Sequence, residues 1–226
     1  MTYENVCQGA FISRPNRFIA KVEVDGKIET AHVKNTGRCK ELLVPGARVV
    51  LSVAGNPKRK TGLDLVSVWK GNRLINMDSQ APNKVFLEWL KTGSHVEGIT
   101  HLKPEARYGS SRFDFYLEAG SRKMFIEVKG VTLEEDGVVL FPDAPTIRGA
   151  RHLNELAQCV SQGYEAQAVF VVQMKGVDFF TPNRRTHPEF GQALDDAVKA
   201  GVQALAFDCE VDENSLKIGE PVQIKL

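Results

Sequence analysis

Two short stretches, Arg112-Phe-Asp-Phe-Tyr-Leu117 and Met124-Phe-Ile-Glu-Val-Lys129, decide how this chain reads. In the first, Phe113, Phe115 and Leu117 alternate onto one face of a strand, so Asp114 projects to the other beside Arg112 and Tyr116. In the second, Ile126 and Val128 point one way while Glu127 and Lys129 point the other. Ala119-Gly120-Ser121 between the two runs predicts a hairpin. Twelve residues separate Asp114 from Glu127, enough for that hairpin to set the two carboxylates side by side.

Paired carboxylates repel, and each tends to protonate unless a cation neutralises them. A hard divalent ion does this, and Mg²⁺ is commonly held by one or two carboxylates. Such an ion polarises a phosphoryl oxygen and acidifies a bound water. Lys129 then stands where an ammonium offsets charge developing on phosphate. Asp114, Glu127 and Lys129 thus form a candidate catalytic set for phosphodiester hydrolysis, with Mg²⁺ or Mn²⁺ as cofactor. The expected metal ligands are Asp114, Glu127 and the Val128 carbonyl. As a bare pattern this is weak, because Glu-x-Lys is common on solvated sheet faces. Its weight comes from context: the two residues interrupt a strongly apolar run that continues through Gly130-Val131, where charge is seldom tolerated without a use.

The surrounding sequence reads as α/β. Val85, Phe86, Trp89 and Leu90 have helical spacing, with Pro82 in an opening turn and Gly93 past the end. Leu153, Leu156 and Val160 predict a second helix between a Thr146 cap and a Gly163 stop. Ala166–Gln173 is a continuous apolar run, as in a strand covered on both faces. Thr186-His-Pro-Glu189 has the form of a capping box, opening a helix that Gly201 ends before a strand over Val202–Phe207.

Upstream the pattern changes to all-β. Phe18, Ala20, Val22 and Val24 share a strand face, Asp25-Gly26 supplies a hairpin turn, and Ile28–Val33 returns. Ala47, Val49, Leu51 and Val53 alternate in a third strand, and Leu63–Trp69 forms a fourth. A small closed barrel is expected; the OB type suits the size, and an SH3-like barrel leaves a similar trace. The expected organisation is a small all-β OB-type barrel over 1–80, followed by an α/β domain over 81–226.

The remaining composition narrows the class. The chain has 226 residues, 42% apolar and 25% charged, an ordinary globular balance. No window nears the ~18 apolar residues of a membrane span, no signal peptide is visible, and four widely spaced cysteines read as reduced thiols. A cytoplasmic protein without a membrane partner is expected; the oligomeric state stays open. Net charge is +1, but residues 1–80 carry 13 Lys/Arg against 7 Asp/Glu, while the rest carry 16 against 21. The basic front suggests a polyanionic partner. Arg17, Lys34, Arg38, Lys40 and the run Lys58-Arg59-Lys60 are candidates to track a nucleic-acid backbone. Arg148 and Arg151, with Asp143 and His152, surround a helix start that offers free N–H groups to phosphate. Glu88 reads as a solvated helix residue in preference to a further ligand.

Several segments together resemble the sugar fermentation stimulation protein A family. They are Arg112-Phe-Asp114, Ile126-Glu-Val-Lys-Gly-Val-Thr132, Phe141-Pro-Asp-Ala-Pro-Thr146, Arg148-Gly-Ala-Arg-His-Leu-Asn-Glu-Leu156, His32-Val-Lys-Asn-Thr-Gly-Arg38 and Leu43-Val-Pro-Gly46. The resemblance implies an OB-like N-terminal domain and a restriction-endonuclease-like C-terminal domain of the PD-(D/E)xK nuclease type. Asp114, Glu127 and Lys129 match that motif, with Phe113 where its name has Pro. It also implies DNA binding, with RNA or a single strand as open alternatives. A non-enzymatic DNA-binding regulator of sugar (maltose) metabolism, with a vestigial nuclease fold, is the competing expectation.

Overall fold

The structure, a computed structural model, describes residues 1–35, 37–55, 59, 61–109 and 111–226. Five strands close the front barrel: β1 (Val6–Asn16), β2 (Ile19–Val24), β3 (Lys27–Val33), β4 (Arg48–Val53) and β5 (Leu63–Lys70). β1 pairs with both β2 and β4, β3 pairs with β2, and a parallel β3–β5 contact closes the ring. This is the OB arrangement; no edge remains between those strands. β6 (Arg73–Asn76) continues from β5 as a hairpin. Ala20 and Val22 are fully buried, as their alternation requires, but Phe18 precedes β2 and is 46% exposed under the Arg17 guanidinium.

The second domain is built on a six-stranded mixed sheet. Its strands are β7 (Ile99–Tyr108), β8 (Ser111–Ala119), β9 (Arg122–Val131), β12 (Glu165–Val172), β14 (Gln203–Val211) and β15 (Leu216–Pro221). β9, β12 and β14 run parallel, and the flanking pairs are antiparallel. Helix α1 (Ala81–Lys91) covers one face; α2 (Ile147–Ser161) and α3 (Pro188–Lys199) cover the other. A smaller sheet joins β10 (Leu133–Glu135), β11 (Val138–Phe141), β13 (Phe179–Pro182) and β16 (Gln223–Ile224). Thr146 caps α2 as expected, its Oγ1 accepting from Gly149 N at 3.0 Å. At α3 the capping box does not form: the cap residue is His187, one position later, and its side chain makes no capping bond.

The domains share one continuous apolar core, running from Phe11, Val22 and Leu65 in the barrel to Leu153, Phe170 and Leu194 under α2 and α3. A buried polar seam joins them. Gln173 Nε2 donates to Asn76 Oδ1 at 2.8 Å and to the Asp78 carbonyl at 3.1 Å. The Asp78 carboxylate, fully buried, pairs with Lys34 Nζ at 2.8 Å. Lys34, expected on a nucleic-acid face, is therefore committed to neutralising an interior acid. Breaking a buried pair from one side leaves an uncompensated charge. Lys34→Met is expected to lower unfolding free energy by about 3 kcal/mol, read by urea denaturation; a loss under about 0.5 kcal/mol, typical of a surface pair, contradicts this role.

Candidate active site

The carboxylates meet where β8 parts from β9. Their pairing runs from Ala119↔Arg122 to Phe115↔Ile126 and stops there. Beyond that point the Val128 N–H donates to Asp114 Oδ2 at 2.8 Å, so a side chain replaces the neighbouring strand as its acceptor. The fork changes one expectation. Phe115 and Leu117 face α1, but Phe113 packs on the α2 side with Phe125 and beside the His152 ring. On the far side of β8, the β7 residue opposite Asp114 is Glu105, held at φ 55, a backbone region that non-glycine residues rarely adopt. The irregular backbone is thus centred on Asp114, as is common where a sheet re-aims a functional side chain.

Each group at the fork has an assigned neighbour. Asp114 Oδ1 accepts from Asn83 Nδ2 on α1 at 2.7 Å. Glu127 is 4% exposed; its Oε1 accepts from Lys129 Nζ and from His152 Nδ1, the latter at 2.5 Å. His152 is fully buried on α2, and Arg148 Nε donates to its Nε2 at 3.3 Å. Because a guanidinium only donates, Nε2 accepts and Nδ1 carries the hydrogen given to Glu127. Glu127 Oε2, by contrast, is buried with no partner among the described residues.

The electrostatics follow from that geometry. Burial, then the nearby Glu127 charge, push the Asp114 carboxyl up to about 6. Burial alone would also raise Glu127, but the His152 hydrogen bond and Lys129 outweigh it and hold its pKa below the ordinary value. One carboxylate stays ionised and its neighbour resists ionisation, the signature of a site short of one positive charge. A hard cation fits these residues: it would bind Glu127 Oε2 and relieve Asp114. The Val128 carbonyl leaves β9 on the same edge as the N–H bound to Asp114, within the same group.

Asn83 and His152 are the residues that sequence reasoning underweighted. Arg148 and His152 are spaced i,i+4 and so share a helix face, a signal that was there to use. Nothing in the sequence links Asn83 to Asp114. Glu88, on the same helix as Asn83, is 58% exposed and pairs with the chain's amino terminus at 2.7 Å.

The basic candidates separate into groups. Arg17, Arg38 and Lys40 line a shallow hollow of about 330 Å³ together with Arg14. Arg14 shapes that loop by donating to the carbonyls of Arg17, Asn35, Gly37 and Arg38 at 2.7–2.9 Å. Arg59 forms a two-pronged pair with Asp64 at 2.9 and 2.5 Å. Lys58 and Lys60 lie outside the described residues. Arg148 and Arg151 are exposed on the first turns of α2.

An OB barrel joined to a mixed α/β domain with an acid–acid–lysine fork defines the class of protein. Two family models cover the chain: "SfsA N-terminal OB domain" over residues 12–77 and "Sugar fermentation stimulation protein RE domain" over 80–215. A sugar fermentation stimulation protein homolog of Desulfitobacterium hafniense (strain Y51) is 62% identical over 226 residues, covering 100% of this chain and 99% of the relative. A homolog of Ruminiclostridium cellulolyticum is 57% identical, with both chains fully covered. The structure of Pyrococcus furiosus SfsA in complex with Ca²⁺ superposes with a TM-score of 0.89 at 27% identity, over 100% of this chain and 98% of that one. The chain belongs to the sugar fermentation stimulation protein family.

The raised Asp114 carboxyl makes a stability prediction. The unfolded carboxyl releases its proton near 3.8 and the folded one near 6, so the folded state binds more protons in that window. Asp114 therefore withdraws stability as pH rises through it. Asp114→Asn removes the charge, and the Asn83 amide can turn to keep a hydrogen bond. The variant is expected to melt higher than wild type in metal-free buffer near pH 7, the gap closing below about pH 4. An unchanged or lower melting temperature near pH 7 contradicts the assignment.

Proposed function

We propose that this protein is a divalent-metal-dependent phosphodiesterase that binds and cleaves nucleic acid, DNA being the expected substrate. One observation carries the reading: Glu127 presents a buried, unpartnered carboxylate oxygen beside a second carboxylate whose proton affinity is raised. The Ca²⁺ in the Pyrococcus furiosus relative supports a hard-cation site in this family. Asp114, Glu127 and the Val128 carbonyl would hold Mg²⁺ or Mn²⁺, which supplies Lewis-acid activation of a phosphoryl oxygen and acidification of water.

The chain's own residues do the rest. Lys129, with only 16% of its side chain exposed, places an ammonium where charge grows on the phosphate and orients the attacking water. His152 and Asn83 hold Glu127 and Asp114 in fixed orientations, so little reorganisation is needed during reaction. Arg148 reaches the site through His152 while remaining exposed, suiting it to a neighbouring phosphate at the α2 N-terminus. The Arg17, Arg38 and Lys40 hollow supplies further backbone contacts on the barrel, with the salt dependence such contacts carry.

In a metal-supplemented assay on single- and double-stranded DNA and on RNA, Lys129→Ala and Asp114→Asn are expected to lower cleavage at least about 10²-fold. Most binding affinity should remain in both variants. Equal cleavage by wild type and both variants overturns the assignment. Salt-sensitive DNA binding without any metal-dependent cleavage would favour the non-enzymatic regulator.

A further inference from the structure

A hollow of about 330 Å³ opens between the two domains, lined by Asn35 and Gly37 of the barrel and by Gly130, Phe141, Asp143 and Gln173 of the α/β domain. It adjoins the acidic fork in sequence, since Gly130 follows Lys129 directly. Thr146, the cap of the helix that carries Arg148 and His152, also lines it. The Asp143 carboxylate lies against Gly37 so closely that any side chain there would collide with it. Among the described residues that carboxylate has no ion-pair or hydrogen-bond partner.

A carboxylate with no partner among the described residues, in a hollow lined by no lysine or arginine, repels phosphate, so it suits an N–H donor instead. Two polar atoms beside it also lack a partner among the described residues, one a donor and one an acceptor. Asn35 Oδ1 accepts from Gly37 N at 2.7 Å, which leaves its amide nitrogen to donate. Gln173 Nε2 is engaged with Asn76 and Asp78, while its Oε1 faces Gly130 and is left to accept. Phe141 adds a half-buried aromatic wall.

We propose that this hollow is a subsite for a guanine base splayed out of a nucleic-acid strand. Guanine alone among the common bases presents two adjacent N–H donors, at N1 and N2, to match the two oxygens of a carboxylate, with the O6 acceptor beside them for an amide N–H. Adenine and cytosine would turn a bare ring nitrogen toward the carboxylate, and uracil or thymine a carbonyl. A base paired within a duplex cannot enter a hollow between domains, so the substrate class is a single strand or an unstacked nucleotide. The subsite rests on the hydrolytic reading only for the placement of the strand's backbone.

The test is equilibrium titration of the full chain with GMP, AMP, CMP, UMP and xanthosine monophosphate. Wild type is expected to bind GMP roughly tenfold or more tightly than the others. Xanthine carries a carbonyl where guanine has its 2-amino group, so an amide matches it. Asp143→Asn is therefore expected to prefer xanthosine monophosphate over GMP by roughly tenfold, a gain that misfolding cannot imitate. Gly37→Ala, which crowds the carboxylate, should weaken GMP binding. Equal affinities in wild type, or no turn toward xanthosine monophosphate in Asp143→Asn, overturn the subsite. Discriminating GMP binding without cleavage supports the subsite while removing the hydrolytic reading; cleavage without guanine discrimination removes the subsite alone.

Discussion

Two carboxylates held in one poorly solvated place constrain everything around them. Like charges at short range in a low-dielectric setting repel strongly, and a protein retains such an arrangement only if its neighbours hold it in position. Here they do so from three directions. Asn83 on α1 and the Val128 N–H fix Asp114, while Lys129 and His152 fix Glu127. Even so, Glu127 Oε2 is left without a partner among the described residues. Under the proposed function, that oxygen, the one in this network without a partner among the described residues, is where a cation would bind.

The fold serves that constraint by fixing the fork against both faces of the sheet. β9 pairs with β12 from Met124 through Val131 and with β8 as far as Ile126, so Glu127 and Lys129 stand on backbone whose register β12 sets. α1 and α2 reach the fork from opposite faces, each with one polar side chain. The shared core and the Asn76–Asp78–Gln173 seam hold the barrel against this domain. The loop carrying Arg38 and Lys40 and the α2 turn carrying Arg148 are thereby fixed relative to each other.

Local patterns carried most of the architecture into the sequence. The strict alternation of Ala20 and Val22, the turn at Asp25-Gly26, the stripe of Leu153 and Leu156, and the apolar run of β12 all report their own burial. β1 was missed because Val6–Asn16 alternates poorly and most of it is only half-buried. β7 was missed for a related reason: an edge strand with Pro104 and mostly exposed side chains carries no apolar period. The acid–acid–lysine set was legible because hairpin geometry converts spacing into proximity. Asn83 was not legible, since its contact with Asp114 spans 31 residues and depends on where α1 docks. The pairing of Lys34 with Asp78 was not legible, because charge alone does not separate a solvated lysine from one paired with an interior acid. The alternation that set Asp114 opposite Phe113, Phe115 and Leu117 fails at the fork, where the strand is irregular: Asp114 bonds Asn83 on α1, the helix that Phe115 and Leu117 face, while Phe113 packs on the α2 side.

The central claim is that the fork is completed by a divalent cation. Crystals soaked in Mn²⁺, with anomalous diffraction recorded at the manganese edge, test it most directly. The account predicts a strong anomalous peak within ligand distance of Asp114 and of Glu127 Oε2, lost in Asp114→Asn. A featureless map there, at a manganese concentration that labels other acidic sites, would contradict it.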